Sequence, residues 1–165
     1  MSTTEFIKSH VEMEQILREE SLGFLGLQQD GEPYVVPLNY SYDAGKIVFH
    51  CALSGKKLDL IRVNPRVCFT VGRATEEVRR HPEGEPCHID SDSVICYGTA
   101  RILDDVAERQ QVLSAFNHHF RPDAPEITLE SAANVGAVEI TITEMTGRRE
   151  REKKRTYWQH TFPQA

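Results

Sequence analysis

A short turn with one serine, one glycine and two lysines carries the chemistry that is most readily assigned in this sequence. Ser54, Gly55, Lys56 and Lys57 follow a β-type run that ends at Cys51 and precede a helical stretch. The first turn of a helix leaves backbone N–H groups without partners and carries the positive end of the helix dipole. Ser54 can cap the helix, and Gly55 lets a ligand approach the backbone closely. The turn therefore predicts an anion site, most naturally for a phosphate, although a solvated helix start with two surface lysines is the alternative.

His50 and Cys51 end the strand that leads into this turn. A neutral imidazole there can donate a hydrogen bond to a substrate, and imidazole is the side-chain type whose charge changes nearest to neutral pH. The alternative is a histidine that is merely satisfied at a strand end. The sequence leaves these two interpretations open.

The remaining histidines and cysteines do not form a metal-binding pattern. Cys87 and His88, with His81 nearby, match no zinc spacing, so no metal site is predicted. The adjacent His118 and His119 cannot face one metal from a helix, and they are interpreted as surface residues or helix-end cations. The four cysteines include no C-x-x-C pair, which favours free thiols in a reducing compartment.

Composition narrows the class of protein. The chain has 165 residues, 39% of them hydrophobic, and a formal net charge of −6. These values predict one globular domain over 1–165, with a core at about 10–147 and a basic polar tail from 148. The acidic balance argues against a nucleic-acid partner. We expect no membrane span and no signal segment, and hence a cytoplasmic protein.

The periodicity of the chain predicts a mainly β, α+β fold. A capping box at Ser9 predicts a helix over 11–19. Pro37 interrupts the second strand, which marks an edge, a bulge or a ligand mouth, and Gly98 suggests a bulge or a close approach. Residues 73–92 are expected to form a long loop. Six strands (21–27, 34–42, 47–51, 67–71, 93–102 and 137–143) and three further helical stretches (56–63, 104–120 and 129–133) favour an antiparallel sheet closed into a small barrel.

Four segments together resemble one family. The pattern from Phe49 through Ser54–Lys57 to Asn64–Pro65 is similar to the flavin-phosphate segment of pyridoxamine 5′-phosphate oxidase-like split barrels. Residues 34–40 resemble that family's proline-containing second strand. The strand 93–100 resembles the nitroimidazole-resistance (Nim-like) subgroup, and residues 147–149 resemble the family's ending after its last strand. The resemblance covers about residues 10–150.

The resemblance implies an antiparallel six-stranded split β-barrel with flanking helices, which forms a homodimer with FMN at the subunit interface. It implies a phosphate site at the lysine turn, flavin-ring contacts and a catalytic histidine at position 50. The implied cofactor-binding residues are Pro37, Leu38, Asn39, His50, Cys51, Ser54, Gly55, Lys56 and Lys57.

The implied function is that of an FMN-dependent oxidoreductase acting on a small molecule, with a nitroimidazole-type reductase as a specific version. The chain lacks the arginine-rich ending that the true pyridoxamine-phosphate oxidases use for substrate, so the vitamin-forming activity is not expected. The alternatives are a non-catalytic flavin- or haem-binding protein, with His50 or His88 on the iron, and a structural dimer without a cofactor.

Overall fold

The structure is a computed structural model that describes residues 2–74 and 89–152. The predicted features at His81, Cys87 and His88, and the last residues of the basic tail, lie outside the described residues. The elements in chain order are β1 (Ser2–Ile7), α1 (His10–Glu19), β2 (Leu22–Gln29), β3 (Glu32–Asn39), β4 (Ser41–Asp43), β5 (Lys46–Cys51), α2 (Lys56–Val63), β6 (Arg66–Ala74), β7 (Ser91–Ile102), α3 (Val106–Phe120), α4 (Leu129–Ala133) and β8 (Gly136–Glu152).

All the strands within residues 2–74 and 89–152 belong to one antiparallel sheet that does not close. The order along the sheet is β3-β2-β6-β7-β8-β5-β4, and β1 pairs with β8. β3 and the β4–β5 pair are thus at opposite ends of the strand order, yet β3 and β5 approach each other in space. The α+β class is confirmed, and the barrel is split between these two ends, as the family resemblance implied. The prediction that the sheet closes into a small barrel was wrong.

The described sheet has eight strands where the sequence predicted six. One extra strand is β1, which precedes the first helix. The other arises because the predicted strand over 34–42 divides at Tyr40, whose buried hydroxyl donates to the Leu17 carbonyl oxygen at 2.9 Å. On either side of that anchor the chain changes partner, since β3 pairs with β2 and β4 pairs with β5.

The last strand runs through Gly147, which was expected to end it. A Cβ on Gly147 would lie 2.8 Å from the Ile7 Cβ and 2.9 Å from the Met13 Cγ. Glycine is therefore needed there for close packing of β1 and α1, and residues 148–152 of the predicted tail are strand. A buried carboxylate, Asp92, binds Arg149 Nε at 2.9 Å and so joins β8 to β7.

The inner face of the sheet forms the main core. Leu25, Phe49 and Phe69 are fully buried there, together with Ile16 and Leu17 of α1 and Leu58 and Ile61 of α2. A smaller cluster of Leu103, Leu113, Ala132 and Ala137 lies where α3 and α4 meet β8. Within the described ranges, no helix is both long enough and apolar enough to cross a membrane.

The predicted irregularity at Gly98 is confirmed. The register of β7 against β8 shifts between Tyr97 and Gly98. A Cβ at Gly98 would lie 2.4 Å from the Thr141 carbonyl oxygen, so the strand backbones approach each other too closely there for a side chain.

Candidate anion-binding site in the barrel split

The start of α2 exposes backbone donors. Gly55 is the N-cap residue, with φ 137° and ψ 165°, and no side chain caps the helix. The first helical hydrogen bonds run from Leu58 N and Asp59 N to the Gly55 oxygen at 2.9 and 3.2 Å. The N–H groups of Lys56 and Lys57 therefore have no helical partner. The prediction that Ser54 caps the helix was wrong, because the cap falls one residue later.

Gly55 combines a demanding backbone conformation with open space. Its φ and ψ lie in a region that is almost restricted to glycine. An added Cβ would have no heavy atom within 4 Å. Glycine is thus required there for its conformation, and the space above it is free for a ligand.

The two lysines lie in the first turn of α2, at the positive end of the helix dipole. Asp59 is the acidic residue of this first turn, and its carboxylate binds Arg62 at 3.0 Å. Among the described residues, neither Lys56 nor Lys57 forms an ion pair. A cation near a helix N-terminus opposes the dipole by about 0.3–1 kcal/mol. The arrangement is unfavourable for the helix alone and favourable for a bound anion.

The lysines reach toward opposite sides of the split. The Lys56 Nζ lies 4.9 Å from the centre of the Tyr34 ring on β3. The Lys57 Nζ lies 5.8 Å from the centre of the Phe49 ring on β5. Both edges of the open barrel are therefore within reach of the side chains of one helix turn.

Cys51 lies on the Lys57 side of this site. Its thiol is half-buried, and burial raises its pKa, while the nearby Lys57 ammonium acts in the opposite direction. Among the described strands, β5 beyond Val48 pairs only with β8. The other edge of β5 therefore opens on the split, and its peptide groups can meet a polar ligand.

His50 points the other way. Its ring packs edge-on against Phe116 of α3, with the ring centres 5.2 Å apart. Successive residues of a strand face opposite sides, so the imidazole and the Cys51 thiol lie on different faces of β5. The structure does not bring the imidazole together with the lysines, and its catalytic role stays a prediction.

The three predicted residues of β3 divide between two faces. Leu38 packs against the core, whereas Pro37 and Asn39 are exposed on the outer face. The Asn39 amide donates to the Ser21 oxygen at 3.0 Å. Of the three alternatives that Pro37 left open, an edge, a bulge or a ligand mouth, the structure shows the edge, since β3 ends the strand order.

Sequence reasoning missed two aromatic residues of the site, Tyr34 and Phe49. Phe49 was noted only as the start of a motif, and Tyr34 only as part of a strand. The Asp30–Gly31 turn pairs Tyr34 with Leu27 and so places its ring on the inner face with Leu38. The turn sequence predicts that register, but the approach of the Tyr34 ring to Lys56 depends on how the barrel opens.

Residues 9–149 match the sequence model of the pyridoxamine 5′-phosphate oxidase family. No curated protein sequence is significantly similar to the chain.

Several solved structures share the fold. A candidate 5-nitroimidazole antibiotic resistance protein from Bacteroides thetaiotaomicron superposes with a TM-score of 0.77 at 23% identity, covering 92% of this chain and 93% of that one. A FAD-binding protein from Mesorhizobium loti gives 0.69 at 25% identity, covering 92% and 100%. The FAD and haem binding protein from Mycobacterium smegmatis gives 0.78 at 16% identity, covering 89% and 74%.

Proposed function

Because this chain belongs to the pyridoxamine 5′-phosphate oxidase family, we propose that it binds a flavin, FMN, with the flavin phosphate at the start of α2. The observation that carries the proposal is the pair of unneutralised lysines beside two free backbone N–H groups and the open space above Gly55. A phosphate dianion gains from cationic and backbone donors together. FAD-binding proteins from two other organisms share the fold, which supports a flavin as the class of cofactor.

Each element of the split has a role in this proposal. Lys56 and Lys57 bind the phosphate from the two sides, and Gly55 keeps the turn open. The free edge of β5 at 49–51 offers peptide groups to the polar edge of the flavin ring, and β3 borders the ring on the other side. The flavin, when bound, supplies two-electron redox chemistry, while the protein orients it and limits solvent access.

The outer face of the sheet supports a homodimer. Leu22, Phe24, Val35 and Tyr97 are 51%, 41%, 62% and 46% exposed there. Val35 and Tyr97 also line a groove of about 720 Å³. Exposed apolar patches of this kind mark interaction surfaces. Since β3 carries Val35 on this face and Tyr34 on the other, a partner subunit that covers the face would also border the split, with the cofactor at the interface.

The proposed activity is the transfer of two electrons to a small molecule from the flavin, which an external donor such as a reduced nicotinamide nucleotide must first reduce. Nitroimidazoles are the specific substrates to test, because the strand 93–100 resembles the Nim-like subgroup. His50 is the candidate proton donor from the α3 side. Substituting His50→Gln should slow turnover without changing the Kd for FMN, and an unchanged rate would remove His50 from the mechanism.

The absorbance spectrum of the purified protein after incubation with FMN and gel filtration tests the cofactor. We expect the two-banded spectrum of an oxidised flavin, with about one FMN per chain. A dominant Soret band would favour haem binding, and the absence of any bound chromophore would contradict the proposal.

Sedimentation should give a dimer for the wild type and a monomer for Val35→Glu, while a monomeric wild type would refute the proposed interface.

A further inference from the structure

We propose that Tyr34 is a positioning residue that holds the Lys56 ammonium over the split for the phosphate of the flavin. The inference rests on the proposed function and adds a residue that the sequence motifs do not contain. Tyr34 lies on β3, across the open side of the barrel from α2. The Lys56 Nζ lies 4.9 Å from the centre of its ring, within the range of a cation–π contact.

The two partners differ in mobility. Tyr34 is paired in the β2–β3 ladder with the buried Leu27, and its ring packs against the main core. Lys56 is exposed and carries its charge at the end of a flexible four-carbon stem. The Tyr34 ring therefore restricts the position of the Lys56 ammonium. It holds the ammonium on the side of the split where α2 presents its free N–H groups.

The nature of the contact keeps Lys56 available. A carboxylate in the place of Tyr34 would neutralise the lysine and compete with an anion for it. An aromatic ring attracts the ammonium through its quadrupole and leaves the formal charge in place. The N–H donors that point away from the ring remain free for phosphate oxygens. Tyr34 thus prepares Lys56 for an anion without removing its charge.

The same contact joins β3, at one end of the strand order, to the start of α2. Lys57 reaches toward Phe49 of β5, so the two lysines border the site on its two sides. The width of the site therefore depends on the position of β3. Removing the Tyr34 ring releases Lys56 from this geometry but leaves Lys57 in place.

The test compares the affinities of FMN and riboflavin, which differ only in the phosphate. We measure both Kd values by flavin fluorescence for the wild type, Tyr34→Leu and Tyr34→Phe. The Leu variant should reduce the preference for FMN over riboflavin by about 2–5-fold, the equivalent of one exposed cation–π contact. It should raise the FMN Kd more than the riboflavin Kd. The Phe variant keeps the ring and should keep the wild-type preference.

A second comparison shows whether Tyr34 acts through Lys56. In a Lys56→Met background, Tyr34→Leu should cause no further loss of the FMN preference. A continued loss in that background would overturn the inference. An equal rise of the FMN and riboflavin Kd values in Tyr34→Leu would also overturn the inference, because a structural defect weakens the binding of both. A loss of the FMN preference in Tyr34→Phe would overturn it too.

The wild type separates this inference from the function on which it rests. A wild type that prefers FMN, together with a Tyr34→Leu variant of the same preference, would overturn the role of Tyr34 and leave the phosphate site standing. A wild type that binds riboflavin as tightly as FMN would overturn both.

Discussion

Replacing Gly55 by alanine should test the conformational strain at the candidate site. Gly55 has φ 137° and ψ 165°, and an added Cβ would meet no heavy atom within 4 Å. Any effect of Gly55→Ala on the stability of the protein without FMN must therefore come from the backbone, whereas an effect on FMN binding also includes the methyl group in the space proposed for the ligand. A non-glycine residue in this region costs about 1–3 kcal/mol. The turn can keep its shape at that cost in stability, or it can relax and move the N–H groups of Lys56 and Lys57.

The two responses predict different magnitudes. If the turn keeps its shape, each kcal/mol should lower the Tm by about 2–4 °C in a chain of this size. If it relaxes, the loss of one charge-assisted hydrogen bond to phosphate costs about 1.5–3 kcal/mol, which is about 10–150-fold in the Kd for FMN. We expect a measurable change in both quantities, since relaxation of an open turn is partial.

Gly45→Ala is the matched control. Gly45 also has a positive φ, 80°, and open space at its Cβ position, but it lies in the β4–β5 turn and not at the start of α2. It should lower the Tm without changing FMN binding. Thermal unfolding followed by circular dichroism gives the Tm, and fluorescence titration gives the Kd. If Gly55→Ala changes neither quantity, the strain argument is refuted. If Gly45→Ala weakens FMN binding as much, the site is misplaced.

Three further substitutions test the fold. Ala44 has a φ of 45°, so Ala44→Asn should stabilise the protein by about 1 kcal/mol, because asparagine tolerates this conformation better; an unchanged denaturation midpoint would contradict it. Gly98→Ala places a Cβ 2.4 Å from the Thr141 oxygen and should destabilise by about 1–3 kcal/mol, measured by urea unfolding. Burial raises the pKa of Asp92, but the hydrogen bonds from Arg149 and Arg151 outweigh it, so that the net pKa is lowered. Asp92→Asn should therefore lower the free energy of unfolding by about 3 kcal/mol at pH 7. The difference from the wild type should narrow as the pH falls below about 4, the pKa of an unfolded aspartate. A difference that does not depend on pH would refute the ion-pair account.

Local signals predicted the parts of the fold that depend on neighbouring residues. Ser9 caps the first helix as expected, with the Glu12 N–H donating to the Ser9 hydroxyl at 3.3 Å. The Asp30–Gly31 turn has positive φ values at both residues, as its sequence indicates. Each of these features is decided within a few positions of the chain.

The features that sequence reasoning missed depend on distant contacts. Gly147 was expected to end a strand, but it continues one because Ile7 and Met13 pack against its backbone. The strand break at Tyr40 follows from a hydrogen bond to Leu17, far away in sequence. Neither partner can be inferred from the local pattern.

The candidate site shows the same division. The lysine turn at 54–57 was predicted from types and spacing alone, because a helix start has the same donors in any protein. The direction of the His50 ring depends on the packing of Phe116 in α3, and the contact between Tyr34 and Lys56 depends on the opening of the barrel. A strand pattern gives the two faces of β5, but not which face the ligand meets.

The Kd for FMN of the Lys56→Met, Lys57→Met double variant tests the central claim most directly. The control is a Lys8→Met, Arg121→Met double variant, which removes the same charge from two exposed sites outside the split. The lysine variant should lose at least tenfold in FMN affinity and keep the wild-type affinity for riboflavin. The control variant should bind FMN as tightly as the wild type does. An FMN affinity in the lysine variant equal to that of the wild type would contradict a phosphate site at the start of α2.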